Sequence, residues 1–331
     1  MSAPTIHPPA PLGLLLLAAT VVLCAAGAAV GSMGWEPLWG TSGDASAAIL
    51  WDIRLPRTLG AWFAGALLGL AGAVAQGLFR NPLADPYLLG SATGAALGVA
   101  LLLVVIGVSP VDASGWLARL GLTGAGFAGA VVAVLLTLAL AKGVQHTLRL
   151  LLAGVIVGMV FGALSALVMI WVPDVMRTMQ VFLLGTTSFL GWTAVALLAA
   201  VFAGSLLVAI AFSRALDALS LGETTAASLG IALTPARAVL IAAMALATGA
   251  AVAQVGLIAF IGLVAPHLVR AAVQPTYRWL LPLSALTGGV LLLAADVLAR
   301  WLLAPQELPV GVLTAVLGGG YLLWLMHRRP L

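Results

Sequence analysis

The sequence predicts an all-α polytopic membrane protein with about ten crossings, each needing ~20 apolar residues to span the hydrocarbon. Three observations carry that prediction. The 331-residue chain is 63% hydrophobic and 7% charged, with a mean hydropathy of +1.19. Its apolar residues come in long runs punctuated by Gly, Pro or charge. Its 38 glycines suit a bundle in which small residues let helix backbones approach closely.

Taken in order, the runs place spans at 12–33, 57–79, 91–108, 121–141, 149–171, 193–212, 236–256, 259–271, 279–301 and 309–326. The first eleven residues carry no Lys or Arg, so the basic region of a secretory leader is missing. The first run therefore reads as a retained span. Leu23 is too bulky to precede a lipoprotein cysteine at Cys24. "NPLADP" (81–86) holds two prolines and breaks the chain between the second and third spans. Thr234-Pro235 reads as an N-cap followed by a first-turn proline. The eighth span is short, "QVGLIAFIGL" before it is ambiguous, and Pro266 and His267 are expected to end it. Residues 1–331 form one transmembrane domain.

One polar stretch interrupts this chain. In "SLGETTAASLG" (220–230), Ser220 and Glu223 have capping-box spacing, and Gly230 offers a left-handed stop. The segment reads as a short helix in water that meets something soluble. Nine basic residues (Arg80, Lys142, Arg149, Arg214, Arg237, Arg270, Arg278, Arg328, Arg329) fall on its side, against five (Arg54, Arg57, Arg119, Arg177, Arg300) on the other. The positive-inside rule then gives an N-in, C-in topology with 220–230 in the cytoplasm.

Several function classes are excluded. Lys142 is the only lysine and Gly143 follows it, so no G-x-x-x-x-G-K-[ST] phosphate loop exists. The lone Cys24 rules out internal disulfides and thiolate clusters. His7, His146, His267 and His327 are scattered and H-E-x-x-H is absent, so no local metal motif exists. A net charge of +4, spread along the chain, does not point to nucleic acid. Among the acids only Asp296 lies within a span. Arg300 stands one turn on, at ion-pair spacing. The chain thus reads as a pore former without an energy source of its own, pushed through its polar segment by a soluble motor.

Six blocks carry a resemblance: "RLPRTLGAWFAGALLGLAGAVAQGLFRNPLADPYLLGSATGA" (54–95), "LRLLLAGV" (148–155), "LGETTAASLG" (221–230), "GLIAFIGLVAPHLVR" (256–270), "LPLSALTGG" (281–289) and "ELPVGVLTAVLGGGYLLWL" (307–325). In this order they resemble the FecCD/BtuC-type permeases, the membrane subunits of type II ABC importers for iron–siderophores, haem and cobalamin. The resemblance implies the type II importer fold, a homodimer with an axial pathway, a pair of cytoplasmic ATPases, and a periplasmic substrate-binding protein, in a bacterial inner membrane. ATP and Mg would sit on the partner subunit, and this chain would hold no cofactor or metal and catalyse nothing.

The resemblance also assigns expected roles. Segment 214–230 becomes the ATPase-coupling element, with Ser220, Leu221, Gly222, Glu223, Thr224, Ala227, Leu229 and Gly230 at the contact. Arg54, Arg57 and Arg300 become docking cations for acidic knobs on the binding protein; lipid anchoring, or an Arg300–Asp296 pair, is the structural reading. Thr147 matches a polar cytoplasmic gate, with Gln145 and His146 beside it, although Leu148 replaces a small polar residue of some relatives. Gly154, Gly158 and Gly162 recur on one helical face. That face meets the pathway, the partner subunit, or another helix of the same subunit. Asp85 is structural or touches the ATPase. Met176, Met179 and Phe182 line a periplasmic entrance or simply pack. Haem leads as cargo, ahead of ferric siderophore and then cobalamin. The rivals are an ion-coupled secondary transporter and a non-transport membrane subunit of a larger complex.

Overall fold

A computed structural model describes residues 9–31, 34–35, 47–106, 116–141 and 147–328. Thirteen α-helices account for nearly all of it. They are α1 (Pro9–Ala29), α2 (Leu55–Phe79), α3 (Ser91–Ile106), α4 (Trp116–Leu140), α5 (Thr147–Trp171), α6 (Pro173–Leu184) and α7 (Trp192–Ala211). The polar pair α8 (Ser213–Ser220) and α9 (Glu223–Ser228) follows, then α10 (Leu233–Val255), α11 (Ile261–Val273), α12 (Tyr277–Trp301) and α13 (Val310–Arg328). A π-helical turn, Ile49–Arg54, leads into α2, and a 3-10 turn, Pro86–Leu89, leads into α3. A two-residue antiparallel ladder pairs Val30–Gly31 (β1) with Gly34–Trp35 (β2).

Every expected crossing has its helix. Eight stretches are long and apolar enough to span a bilayer, and Ser91–Ile106 and Ile261–Val273 are shorter apolar helices. Two local readings need correction. The chain enters α10 at Leu233 with Ala232 in the cap position, so Thr234 and Pro235 both lie in the first turn. Pro266 does not end α11, which runs through it to Val273. Pro266 lacks the N–H that would meet the Gly262 carbonyl, and α11 continues through it with that one hydrogen bond missing. The ambiguous junction resolves into a non-helical stretch, 256–260, bounded by positive φ at Gly256 (70°) and Phe260 (69°).

The centre is α2. From Ala64 to Phe79 every residue is buried, which is the signature of a helix enclosed on all sides. It packs on α12, α10, α11 and α7. Its glycines explain how. A Cβ at Gly65 or Gly69 would land on the carbonyl oxygens of Gly288 or Ser284 in α12, and one at Gly72 on that of Gly262 in α11. The contact is backbone on backbone. Around it, α1, α5 and α13 expose apolar side chains such as Val21, Met159, Ile170 and Leu323, as lipid-facing helices do.

Gly72→Val is expected to abolish recovery of folded, monodisperse protein from detergent extracts, because the methyls would collide with main chain that cannot yield. Gly204→Val, at an α7 position with nothing within 4 Å, should leave yield and melting temperature near those of the parent. Equal recovery of the two variants would refute this packing.

Candidate functional site

The chain carries polar machinery at two ends of the bundle. The 25 residues of α2, at ~1.5 Å each, hold those ends about 38 Å apart.

At the end where α2 stops, α8 and α9 form the predicted polar segment. In α8, Ala215, Leu216, Ala218 and Leu219 are buried. Leu216 and the Tyr277 ring lie over Gly77, where a Cβ would come within 2.9 Å of both. Asp217 Oδ1 accepts from the Tyr277 backbone N–H at 2.9 Å and so caps the start of α12. The expected capping box does not form. Ser220 closes α8 and its hydroxyl donates to the Asp217 carbonyl at 2.5 Å. Gly222, at φ 109°, turns the chain and takes the cap position of α9. Glu223 is drawn instead to cations on other helices: Arg237 Nη2 donates to it at 2.6 Å, and Arg80 Nη2 lies 3.9 Å away. Arg80 caps α2 and Arg237 stands in the first turns of α10. One carboxylate therefore links the polar segment to the core helix and to the next span. Gly230, at φ 76°, ends the segment as expected.

Of α9 only Ala226 is buried. Thr224, Ala227 and Gly230 are exposed, and Leu221 and Leu229 expose 66% and 62% of their surface. Two bare leucines flank a rigidly anchored polar helix. Leu83 of the neighbouring 80–85 loop is exposed too. In that loop Asp85 Oδ1 caps the 3-10 turn by accepting from Tyr87 N–H at 2.8 Å. Burial raises the Asp85 carboxyl above its ordinary value, opposed by that hydrogen bond. Its position is structural. Beneath the surface, Arg270 donates to Gln76 Oε1 and, at 3.0 Å, to the Tyr277 hydroxyl, while Gln76 Nε2 donates to the Leu263 carbonyl at 3.2 Å. This bonds α2, α11 and α12 together.

At the other end lies a buried ion cluster. Asp296 is fully buried. Its Oδ1 accepts from Arg57 Nε and Nη2, both at 3.2 Å, and from the Thr187 hydroxyl. Its Oδ2 accepts from Arg300 Nη2 at 2.6 Å, the expected i,i+4 pair. Arg57 also donates from Nη1 to Glu307 Oε1 at 3.0 Å, with Nη2 3.0 Å from Oε2. Arg300 Nη1 donates to the carbonyls of Gly27 and Val30, both at 2.9 Å. Two guanidiniums thus balance two carboxylates, and the cluster ties the ends of α1, α2 and α12 to the approach to α13. The docking expectation is corrected accordingly. Arg300, 1% exposed, offers no surface, and Arg57, 9% exposed, offers little; both are committed to internal acceptors. Arg54 is half-buried and donates to the Ala28 carbonyl at 3.3 Å.

Other expected residues separate. Met179 is a core residue, packed with Val175, Ala96, Val99 and Leu103, and Phe182 is half-buried against the same cluster. Only Met176 is presented outward. Gly154 faces the Leu88 carbonyl, and Gly158 and Gly162 face Thr93. Their stripe therefore meets the subunit's own 3-10 turn and α3. Gln145 and His146 lie outside the described residues. Thr147 opens α5, and its side chain lies outside them as well. Among the described residues no three His, Cys, Asp or Glu gather to hold a metal ion. The roles of Thr187, Ser188 and Glu307 escaped sequence reasoning. Only the Asp296–Arg300 spacing pointed to that region.

An enclosed central helix, apolar outer flanks and polar machinery at opposite ends define a polytopic helical membrane protein. Residues 13–328 match the FecCD transport family, and the chain belongs to it. It is 38% identical over 329 residues to the hemin transport system permease protein HmuU of Yersinia pestis, covering 98% of this chain and 97% of that one. It is also 38% identical over 317 residues to the vitamin B12 import system permease protein BtuC of Citrobacter koseri, covering 95% and 92%. Among solved structures it is similar to an inward-facing conformation of a metal-chelate type ABC transporter, with a TM-score of 0.83, 27% identity, and 96% and 100% of the two chains covered. PsaBC from Streptococcus pneumoniae in complex with Fab shares the fold at a TM-score of 0.55 and 19% identity, over 81% and 90% of the two chains.

Asp296→Asn leaves two buried guanidiniums short of a counter-charge. It is expected to cost ~3–5 kcal/mol, read as a clear fall in melting temperature of the purified protein. Arg54→Gln, half-buried and outside the cluster, should cost far less. Comparable melting temperatures for the two variants would show that the cluster does not carry the fold.

Proposed function

We propose that this chain is the transmembrane permease subunit of an ATP-driven importer, working as a homodimer in a bacterial inner membrane. In this reading its N- and C-termini face the cytoplasm, and the Arg57–Asp296 end faces the periplasm. A pair of ATPase subunits grips segment 214–230, binding and hydrolysing ATP with Mg on their own residues, and the permease itself catalyses no reaction. A periplasmic binding protein delivers cargo to the opposite end, near half-buried Arg54. Cargo then moves down the dimer axis by alternating access.

One observation carries the reading. Leu221 and Leu229 stand bare at either side of a short polar helix that is too hydrophilic for lipid and is tied by Glu223 to both α2 and α10. Exposed apolar side chains on a rigid polar mount are what a protein partner buries. The clamp gives a push on α9 a direct route into the core helix, which a slack loop would absorb. The bare apolar faces of α5 and α13 leave surface for a second subunit as well as for lipid.

For cargo, a flat metal chelate fits a pathway that brings few charges of its own, with haem first, ferric siderophore next and cobalamin third. The relatives named for hemin and vitamin B12 support this class of cargo. The test is uptake by vesicles containing this chain and its cognate ATPase, with the cargo-loaded binding protein outside, with ATP inside or withheld, and with and without an ion gradient. ATP-dependent uptake of a chelate that ignores the gradient supports the proposal. Gradient-dependent uptake without ATP, or no uptake at all, sinks it.

Leu221→Asp combined with Leu229→Asp should leave the melting temperature within a few degrees of the parent, because neither side chain is packed. The same pair should lower ATPase co-purification and uptake at least tenfold, about 1.4 kcal/mol or more. Full co-purification and uptake in that variant would place the coupling contact elsewhere.

A further inference from the structure

The ion cluster is balanced without the loop that leans on it. Asp296 and Glu307 have their charge met by Arg57 and Arg300. Yet each carboxylate also accepts a hydroxyl hydrogen bond from the loop joining α6 to α7. Thr187 Oγ1 donates to Asp296 Oδ1, and Ser188 Oγ donates to Glu307 Oε2 at 3.1 Å. The loop is stiffened around these two donors. Thr186 N–H donates to the Val255 carbonyl at 2.9 Å, and its hydroxyl lies 3.1 Å from that of Ser188. Leu190, 4% exposed, closes the loop by packing against Gly60 of α2. Phe189 and Ser188 face outward, and Gly191 has open space where a side chain would sit.

This arrangement separates a permanent part from a removable one. Breaking an ion pair here would strand a buried charge, which is costly. Breaking the two hydroxyl bonds leaves both carboxylates still paired. Lifting the loop would break these two hydroxyl bonds, the Thr186–Val255 backbone bond and the Leu190 contact, and would leave the four-charge cluster intact.

We propose that Thr187 and Ser188 are a releasable catch. They hold the α6–α7 loop closed over the Arg57–Asp296–Arg300–Glu307 cluster and act as positioning residues for opening of that end during transport. The inference rests on the loop geometry and not on the identity of cargo or partners.

The test uses the purified full-length chain in detergent, in a Cys24→Ala background with Leu190→Cys as reporter, and follows the rate of maleimide labelling. With the catch intact, labelling is slow. Thr187→Val keeps the volume and removes the donor to a charged acceptor, and is expected to raise the rate about tenfold or more. Thr187→Ser restores the donor and should label as slowly as the parent. Ser188→Ala, at an exposed position that folding tolerates, should give a rise of about threefold to fivefold. A second reporter, Leu219→Cys in α8 at the far end, should stay protected throughout. The catch is overturned if neither Thr187→Val nor Ser188→Ala speeds labelling, if Thr187→Ser is as fast as Thr187→Val, or if Leu219→Cys speeds up in step.

Discussion

Close approach of bare main chain is the constraint on which this molecule rests. Helix α2 has no face for lipid between Ala64 and Phe79, so its neighbours must fill every side. They reach it only because Gly65, Gly69 and Gly72 carry no Cβ where α12 and α11 cross. In a bilayer the surrounding tails are as apolar as leucine, so burying apolar area does not drive helices together. Close van der Waals packing does. Small residues at those crossings therefore do the work that large side chains do in a water-soluble core. The exposed leucines and valines of α1, α5 and α13 take no part in that packing.

With α2 held at the centre, the charges at its two ends acquire partners on other elements. Arg57 in its first turn joins Asp296 of α12 and Glu307 on the approach to α13. Arg80 at its last turn approaches Glu223 of α9, which Arg237 of α10 also grips. The two sites differ in kind. The Arg57 site is buried and closed, with its charges mutually compensated, as membrane-buried ions must be. The Glu223 site is half in water, and such a pair adds little stability; its effect is to fix where α9 points. One helix runs between them, joining the polar segment at one end to the α6–α7 loop at the other.

Departures from helix collect around the same axis. Residues 256–260 are non-helical within an apolar bundle, where protein must satisfy the freed backbone groups. Here protein does so: Leu257 N–H donates to the Phe182 carbonyl at 3.1 Å, and the Tyr87 hydroxyl donates to the Ile258 carbonyl at 3.1 Å. Thr186 N–H meets the Val255 carbonyl beside them. The α6–α7 loop, the α10–α11 break and the 3-10 turn before α3 thus support one another. Irregular chain at this depth is expensive in hydrocarbon and inexpensive in such company.

By itself the sequence determined what is encoded within one or two turns of chain. Apolar run length set the ten helices, the prolines of "NPLADP" the break after α2, Gly230 the end of the polar segment, and four-residue spacing the Asp296–Arg300 pair. It also marked 220–230 as the surface that meets water. Only the tertiary structure decided who pairs with whom. Arg57 finds carboxylates 239 and 250 positions away, and an arginine at a helix start reads the same whether it faces a partner protein or an internal acid. Ser220 and Glu223 have the spacing of a capping box, yet Arg237 outbids the backbone for the carboxylate because an opposite charge at 2.6 Å attracts it more strongly than a neutral N–H. Gly154 lies on α5, a helix whose weak polarity contrast names no inner face. Where every side chain is apolar, packing alone selects which side is covered.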